Sequence, residues 1–342
     1  SQRAESAIFL REYMPQDEAL YKRLLMAERH PKVLVLGSSR TMQLSAPMVG
    51  ESGTEFLNAG GLINTIGDLE QVLSGTAAER HPPVILLGVD FWWFNDEWPG
   101  EARALVADAA FNWRAHVAAA RRVTIRPVLL WSLIGAPAAG DTGRIGISAW
   151  RTGSGFRPDG SLRQTHALPA TAEQWTFVDR ESPPVIDRIR KGNRTFAVGP
   201  DISQARVDRF SSLLGALHEK GIRVAAFAPP FSSEAYQVLT TDKRYRDLLR
   251  EFRASMARVC RERSVPFVDA TDLRSLGLDD RYLFDGFHAA ETFHLHLIKR
   301  WLDSDATLEA LLPRARQIVE QLMSAKTTNF WYAEIEGGDR RP

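Results

Sequence analysis

Three short blocks of this sequence carry residue types that together support acyl transfer through a serine ester. Gly37-Ser38-Ser39-Arg40 offers a hydroxyl nucleophile, and Asn58-Ala59-Gly60 offers small and amide-bearing positions. Asp285-Gly286-Phe287-His288 offers a base with an acid three residues before it. In that chemistry His288 takes the Ser39 proton and later returns it to the leaving group. Asp285 fixes the histidine tautomer and stabilises the imidazolium. Backbone N–H groups of Ser39 and Gly60 are expected to line an oxyanion hole, where glycine keeps a side chain from crowding the substrate.

Such residues react only if secondary-structure elements bring them together. Lys32-Val33-Leu34-Val35-Leu36-Gly37 and Val84-Ile85-Leu86-Leu87-Gly88-Val89 are continuous apolar runs, as in parallel strands buried on both faces. Strands are expected at about 32–37, 54–58, 84–89, 223–228 and 266–269, the fourth stopped by Pro229-Pro230. Helices are expected over 1–30, 65–74, 205–220 (with Gly221 as its C-cap), to the end of a helix at 254–263, and over 293–302 and 308–323. This alternation argues for an α/β sheet with mostly parallel strands. The carboxyl ends of such strands meet at one edge, where open α/β sheets bind ligands. The three blocks fall at predicted strand ends or just before the last helices, so they can converge there.

With these blocks in this order, the chain resembles the SGNH/GDSL hydrolase superfamily. Gly37-Ser38-Ser39 matches the family's nucleophile block, Asn58-x-Gly60 is similar to its second block, and Asp285-x-x-His288 matches its last. The resemblance implies a flavodoxin-like three-layer α/β/α sandwich with a mainly parallel five-stranded sheet. A large insertion follows from the long interval between the third and fourth strands. The organisation expected is a helical segment (1–30), the first part of the core (31–95), an insertion or subdomain (96–200), the second part of the core (201–305) and a C-terminal helix and tail (306–342).

One block departs from the family. Gly88-Val89-Asp90 places Asp90 where the family often carries an Asn that donates to the oxyanion. An ionised aspartate only accepts hydrogen bonds. Asp90 is therefore expected to have another partner such as Arg40, or Asn95 to reach into the oxyanion hole, or backbone donors to act alone. Arg40 is a candidate substrate contact or the partner of an acid, and Asp90 is grouped with it on the substrate side. Trp92 and Trp93 either stack on sugar rings and line an acyl pocket, or fill the core.

Within the superfamily, the Gly-Ser-Ser block, Gly88-Val89-Asp90-Phe91-Trp92-Trp93-Phe94-Asn95 and Ala228-Pro229-Pro230-Phe231 resemble extracytoplasmic proteins of polysaccharide O-acylation. That resemblance implies a polysaccharide acceptor, a membrane-bound O-acyltransferase partner and a periplasmic or extracytoplasmic location. It also implies an inner-membrane tether upstream of Ser1. Transferase and esterase use the same residues. The alternative is a catalytically weak scaffold that binds glycan or holds the membrane acyltransferase.

Composition narrows the remaining classes. The 342 residues carry 43 basic and 42 acidic side chains, a net charge of +1. No whole-chain electrostatic case for nucleic acid exists. The sequence has no run of about 18 apolar residues, the length a bilayer-spanning helix needs. Cys260 is the single cysteine, which excludes an internal disulfide and a multi-cysteine zinc site. Neither GxxxxGK nor GxGxxG occurs, and no cofactor is expected. His288, Glu291, His294 and His296 form a dense group, but His294 and His296 fall about 200° apart on a helix, and no metal is expected. The polar segment 153–160 reads as a hairpin turning at Pro158-Asp159-Gly160, with a lid as the alternative.

Overall fold

The structure is a computed structural model that describes residues 28–74, 82–98, 100, 155–163 and 184–324, with Lys22, Arg23, Leu25 and Met26. Its centre is a parallel five-stranded sheet made of β1 (Val33–Leu36), β2 (Phe56–Asn58), β3 (Val84–Gly88), β6 (Arg223–Ala228) and β7 (Phe267–Asp269). The spatial order is β2-β1-β3-β6-β7, and every neighbouring pair is parallel. All five carboxyl ends therefore lie along one edge. The expected strands occur within one or two residues of these bounds.

The apolar runs form strands because both of their faces are covered. Leu34, Leu36, Ile85 and Leu87 join one apolar cluster, while Val33, Val35, Val84 and Leu86 join another. That two-residue alternation is the strand's own period. The first cluster takes in the buried faces of α1 (Ile66–Ser74), α3 (Gln204–Glu219) and α5 (Lys243–Glu262). The second takes in α6 (Glu291–Ser304), α7 (Ala306–Leu311) and α8 (Ala315–Ser324). The result is a three-layer α/β/α sandwich. Two shorter helices, α2 (Val185–Lys191) and α4 (Ser233–Thr241), pack on the first side.

One helix expectation is corrected. The span 308–323 is two helices, α7 and α8, divided at Pro313. Proline lacks the N–H a continuous helix would use there. The helix expected to end near 263 does end there, at Glu262, and starts at Lys243, where the Asp242 side chain accepts the Arg244 N–H as a cap.

The segment read as a hairpin is one. Strands β4 (Gly155–Phe156) and β5 (Leu162–Arg163) pair antiparallel, and Gly160 turns between them at φ +82°. It is not a loose surface feature, because Asp159 is buried and stitched to the core. Its carbonyl accepts the Asn58 N–H at 2.7 Å and its Oδ2 accepts the Ala46 N–H at 2.8 Å. Leu162 N–H donates to the Met42 carbonyl at 2.8 Å. The rest of the expected insertion between 101 and 183, most of the segment 1–30 and the tail beyond 324 lie outside the described residues. No described helix is long and apolar enough to cross a membrane.

Candidate active site

The site begins where β1 ends. Gly37 turns the chain at φ +147°, and a Cβ there would lie 2.5 Å from Thr41 Cγ2 and 3.1 Å from the Gly88 carbonyl oxygen. Only glycine fits so close to β3. The chain enters a short 3-10 turn at Ser39–Thr41, which leaves Ser39 half-buried at the carboxyl edge of the sheet. The Ser39 N–H has no acceptor among the described residues.

Ser39 Oγ lies 2.9 Å from His288 Nε2, and His288 Nδ1 lies 2.7 Å from Asp285 Oδ2. The other carboxylate oxygen, Oδ1, accepts the backbone N–H groups of Phe287 at 2.9 Å and His288 at 2.8 Å. With Asp285 as acceptor, Nδ1 carries the ring proton and Nε2 is left to accept from the serine hydroxyl. Burial alone would raise the Asp285 carboxyl, but the His288 ring and the three hydrogen bonds hold it below the ordinary range. The loop that carries both residues is closed by a Phe284 N–H to His288 carbonyl bond of 2.8 Å and leads directly into α6.

Arg40 and Asp90 do not face a substrate, which corrects that expectation. Their side chains are 2% and 0% exposed, and Arg40 Nη1 donates to Asp90 Oδ1 at 2.8 Å. Arg40 Nε donates to the Phe287 carbonyl at 3.0 Å, and Nη2 donates to the Pro230 carbonyl. The guanidinium also sits 4.2 Å from the Phe231 ring centre. Burial pushes the Asp90 carboxyl up, and the Arg40 charge pulls it back. The Asp at the departing position is thus the counter-ion of a buried arginine, one of the partners the sequence left open.

Trp92 and Trp93 are 1% and 0% exposed and belong to the core. Trp92 packs edge-on to Phe91 at 5.2 Å and to Phe196 at 6.4 Å, so neither indole offers a platform to a sugar. The reading as substrate contacts is corrected to core filling.

Two expected oxyanion donors are committed elsewhere. Asn95 Nδ2 donates to the carbonyls of Gly199 at 2.9 Å and Asp201 at 2.8 Å, and its Oδ1 accepts the Gly199 N–H at 3.0 Å. This carboxamide pins a loop and has no donor left to turn inward. The Gly60 N–H donates to Asn58 Oδ1 at 2.8 Å. Gly60 is there for contact: a Cβ would lie 2.5 Å from Thr41 Oγ1. The Asn58 amide nitrogen binds the carbonyls of Thr41 at 2.9 Å and Leu44 at 2.7 Å, which locks the second block against the nucleophile turn.

The dense histidine group separates into distinct roles. Glu291 binds Arg157 at 2.5 Å at the start of α6. His294 Nδ1 bonds the Ala290 carbonyl at 3.0 Å, and burial pushes its ring down to about 4. His296 stands edge-on to Tyr282 at 5.2 Å. Cys260 is buried, which pushes its thiol up to about 12 and leaves no thiolate at neutral pH.

Sequence reading missed Lys22, whose ammonium donates to the Asn58 carbonyl at 2.6 Å and to the Gly160 carbonyl. It also missed the Arg157–Glu291 pair. A lysine at a helical position carries no spacing signal that could have found it, and Arg157 and Glu291 pair across 134 residues.

The fold and site define an α/β/α protein with a hydrogen-bonded Ser–His–Asp chain at the carboxyl edge of its sheet. No family model matches the chain, and no curated protein matches it. Among solved structures it is similar to an acetyl xylan esterase at 10% identity and a TM-score of 0.34, covering 81% of this chain and 98% of that one. A likeness at that TM-score decides nothing about activity.

Proposed function

We propose that this chain is a serine-dependent O-acyltransferase or esterase that works through an acyl-Ser39 intermediate. The observation that supports it is the continuous hydrogen-bonded line from Ser39 Oγ through His288 to Asp285, at 2.9 and 2.7 Å. Ser39 Oγ attacks the ester carbonyl carbon while His288 Nε2 takes the hydroxyl proton. The bond to the leaving alcohol then breaks, and His288 returns that proton to the departing oxygen. Water or a sugar hydroxyl attacks the acyl-serine with the same base, giving hydrolysis or transfer.

The finer reading rests on the resemblance to SGNH proteins of polysaccharide O-acylation. On that reading the acceptor is an extracytoplasmic polysaccharide, the chain is tethered to the inner membrane, and it works beside a membrane-bound O-acyltransferase. The test is turnover of short aryl acetates by the parent and by Ser39→Ala. Turnover that vanishes in the variant is the expected result, and equal background rates in both would overturn the enzyme reading.

A second reading, a catalytically weak scaffold that binds glycan or holds the membrane acyltransferase, is favoured by one observation. Asp90 cannot donate, and the Gly60 N–H and the Asn95 carboxamide are already spent. Parental turnover well above background would remove it.

A further inference from the structure

The hairpin of β4 and β5 comes from the long interval between β3 and β6, and it is bonded to both halves of the site. Its strands are two residues each. A lone hairpin is marginal in water, so this one takes its order from what it docks on.

One set of contacts reaches the nucleophile turn. Leu162 N–H donates to the Met42 carbonyl at 2.8 Å, and Met42 N–H donates to the Ser39 carbonyl at 3.3 Å. Asp159 Oδ2 accepts the Ala46 N–H at 2.8 Å, while its Oδ1 accepts the Ser161 N–H at 2.9 Å and the Ser161 hydroxyl at 2.7 Å. Gly160 lets the turn press on β2, since a Cβ there would lie 2.5 Å from the Asn58 carbonyl oxygen. Arg29 Nη1 donates to the Pro158 carbonyl at 2.6 Å and holds the turn from a second segment.

The other set reaches the base. Arg157 Nη2 meets Glu291 Oε1 at 2.5 Å, and Arg157 Nη1 donates to Ser161 Oγ at 3.2 Å. The Ser161 hydroxyl thus accepts from Arg157 and donates to Asp159. Glu291 is the first residue of α6, three after His288. The backbone between them is fixed. The His288 carbonyl accepts the Phe284 N–H at 2.8 Å, Ala289 bridges to Leu283, and Ala290 N–H donates to the Tyr282 carbonyl at 2.8 Å. A shift at Glu291 is therefore passed to His288 rather than absorbed on the way.

The Arg157 and Glu291 side chains are 18% and 2% exposed. An ion pair so shielded adds little net stability, because taking both charges out of water offsets their attraction. What it does supply is geometry, since the planar guanidinium fork fixes direction as well as charge. Here that geometry joins the hairpin on the Ser39 turn to the segment that carries the base.

We propose that Arg157 is a positioning residue: paired with Glu291, it clasps the start of α6 to the hairpin and keeps His288 Nε2 within reach of Ser39 Oγ. The proposal rests on the acyl-serine reading, in which that 2.9 Å contact carries the proton. Arg157 acts through Glu291 and the backbone, so its loss slows the chemical step and leaves substrate binding in place.

The experiment measures kcat and KM for an aryl acetate in parent, Arg157→Met, Arg157→Lys and the double variant Arg157→Met/Glu291→Leu. Fluorophosphonate labelling of Ser39 and thermal unfolding are followed in parallel. The double variant removes both shielded charges and keeps the fold if Arg157→Met alone does not. Misplacing the base lowers kcat about 100-fold in Arg157→Met and in the double variant. KM changes by less than about threefold in both, and labelling slows in step with kcat. The double variant unfolds near the parental midpoint, so its lost rate is not lost fold. Arg157→Lys keeps the ion pair and recovers most of the rate. A double variant with kcat within about threefold of a parent that labels at Ser39 would overturn the assignment and leave the acyl-serine reading standing. A raised KM at unchanged kcat would overturn it too, and make Arg157 a substrate contact. A folded parent that neither labels nor turns over would overturn the acyl-serine reading, and the role of Arg157 with it.

Discussion

Arg40 Nε donates to the carbonyl of Phe287 at 3.0 Å, so the residue after the nucleophile holds the residue before the base. The same guanidinium reaches Asp90 beyond β3 and Pro230 beyond β6. One buried side chain therefore ties together three strand ends and the histidine loop. The tie joins the two loops that carry Ser39 and His288, whose side chains meet at 2.9 Å.

The tie makes a specific prediction. Arg40→Met strands the Asp90 carboxylate in the core and costs about 3–5 kcal/mol. The double variant Arg40→Met/Asp90→Leu removes both buried charges and recovers most of that stability. It does not restore the hydrogen bond to Phe287, so Ser39 acylation stays slow. Thermal unfolding and the rate of fluorophosphonate labelling check the two halves. A double variant that labels at the parental rate would show that Arg40 serves stability only.

The two glycines Gly37 and Gly277 both have positive φ, at +147° and +74°, but different surroundings. A Cβ at Gly277 meets nothing within 4 Å, whereas one at Gly37 meets Thr41 Cγ2 at 2.5 Å. Gly277→Ala is expected to cost only left-handed strain, about 1–2 kcal/mol. Gly37→Ala adds a steric clash and costs more, with loss of Ser39 reactivity. Equal unfolding midpoints for the two variants would contradict this ranking.

His294 couples stability to pH. Its ring is buried and pushed from 6.5 to about 4. In the unfolded chain it binds its proton near 6.5, so the unfolded state holds more protons between about 4 and 6.5. The contribution is therefore complete above pH 6.5 and is lost as pH falls towards 4, amounting to about 3 kcal/mol in all. His294→Phe, set beside Phe227 and Phe293, is expected to flatten the acid limb of the stability curve. Denaturant unfolding at pH 7, 5.5 and 4.5 measures it, and parallel curves for the two proteins would refute it.

Much of the architecture was legible in the sequence because buried parallel strands are written as unbroken apolar runs. Val33–Leu36 and Val84–Gly88 are such runs, and both are fully buried in the sheet. The pieces of the Ser–His–Asp chain were legible too, because strand ends and helix starts are marked by Gly37 and by the step from Asp285 to His288. What could not be read was where hydrogen-bonding groups are spent. Gly60 looks like a free N–H in sequence, yet Asn58 two residues earlier takes it. Arg40 was one of several partners open to Asp90, and the β1–β3 pairing that joins them across 50 residues decides between those alternatives. Trp92 and Trp93 follow a strand end, a position open to ligand or core alike, and neighbours such as Phe196 put them in the core. Helix α4 went unread because its cap at Ser232 follows two prolines and its apolar face is short.

The central claim is that Ser39 is an activated nucleophile. Intact mass after treatment with a fluorophosphonate tests it most directly, with Ser39→Ala alongside. The account predicts one adduct on the parent, mapped to Ser39, and none on the variant. A parent that is folded by circular dichroism yet takes up no adduct, or a variant labelled to the same extent, would contradict it.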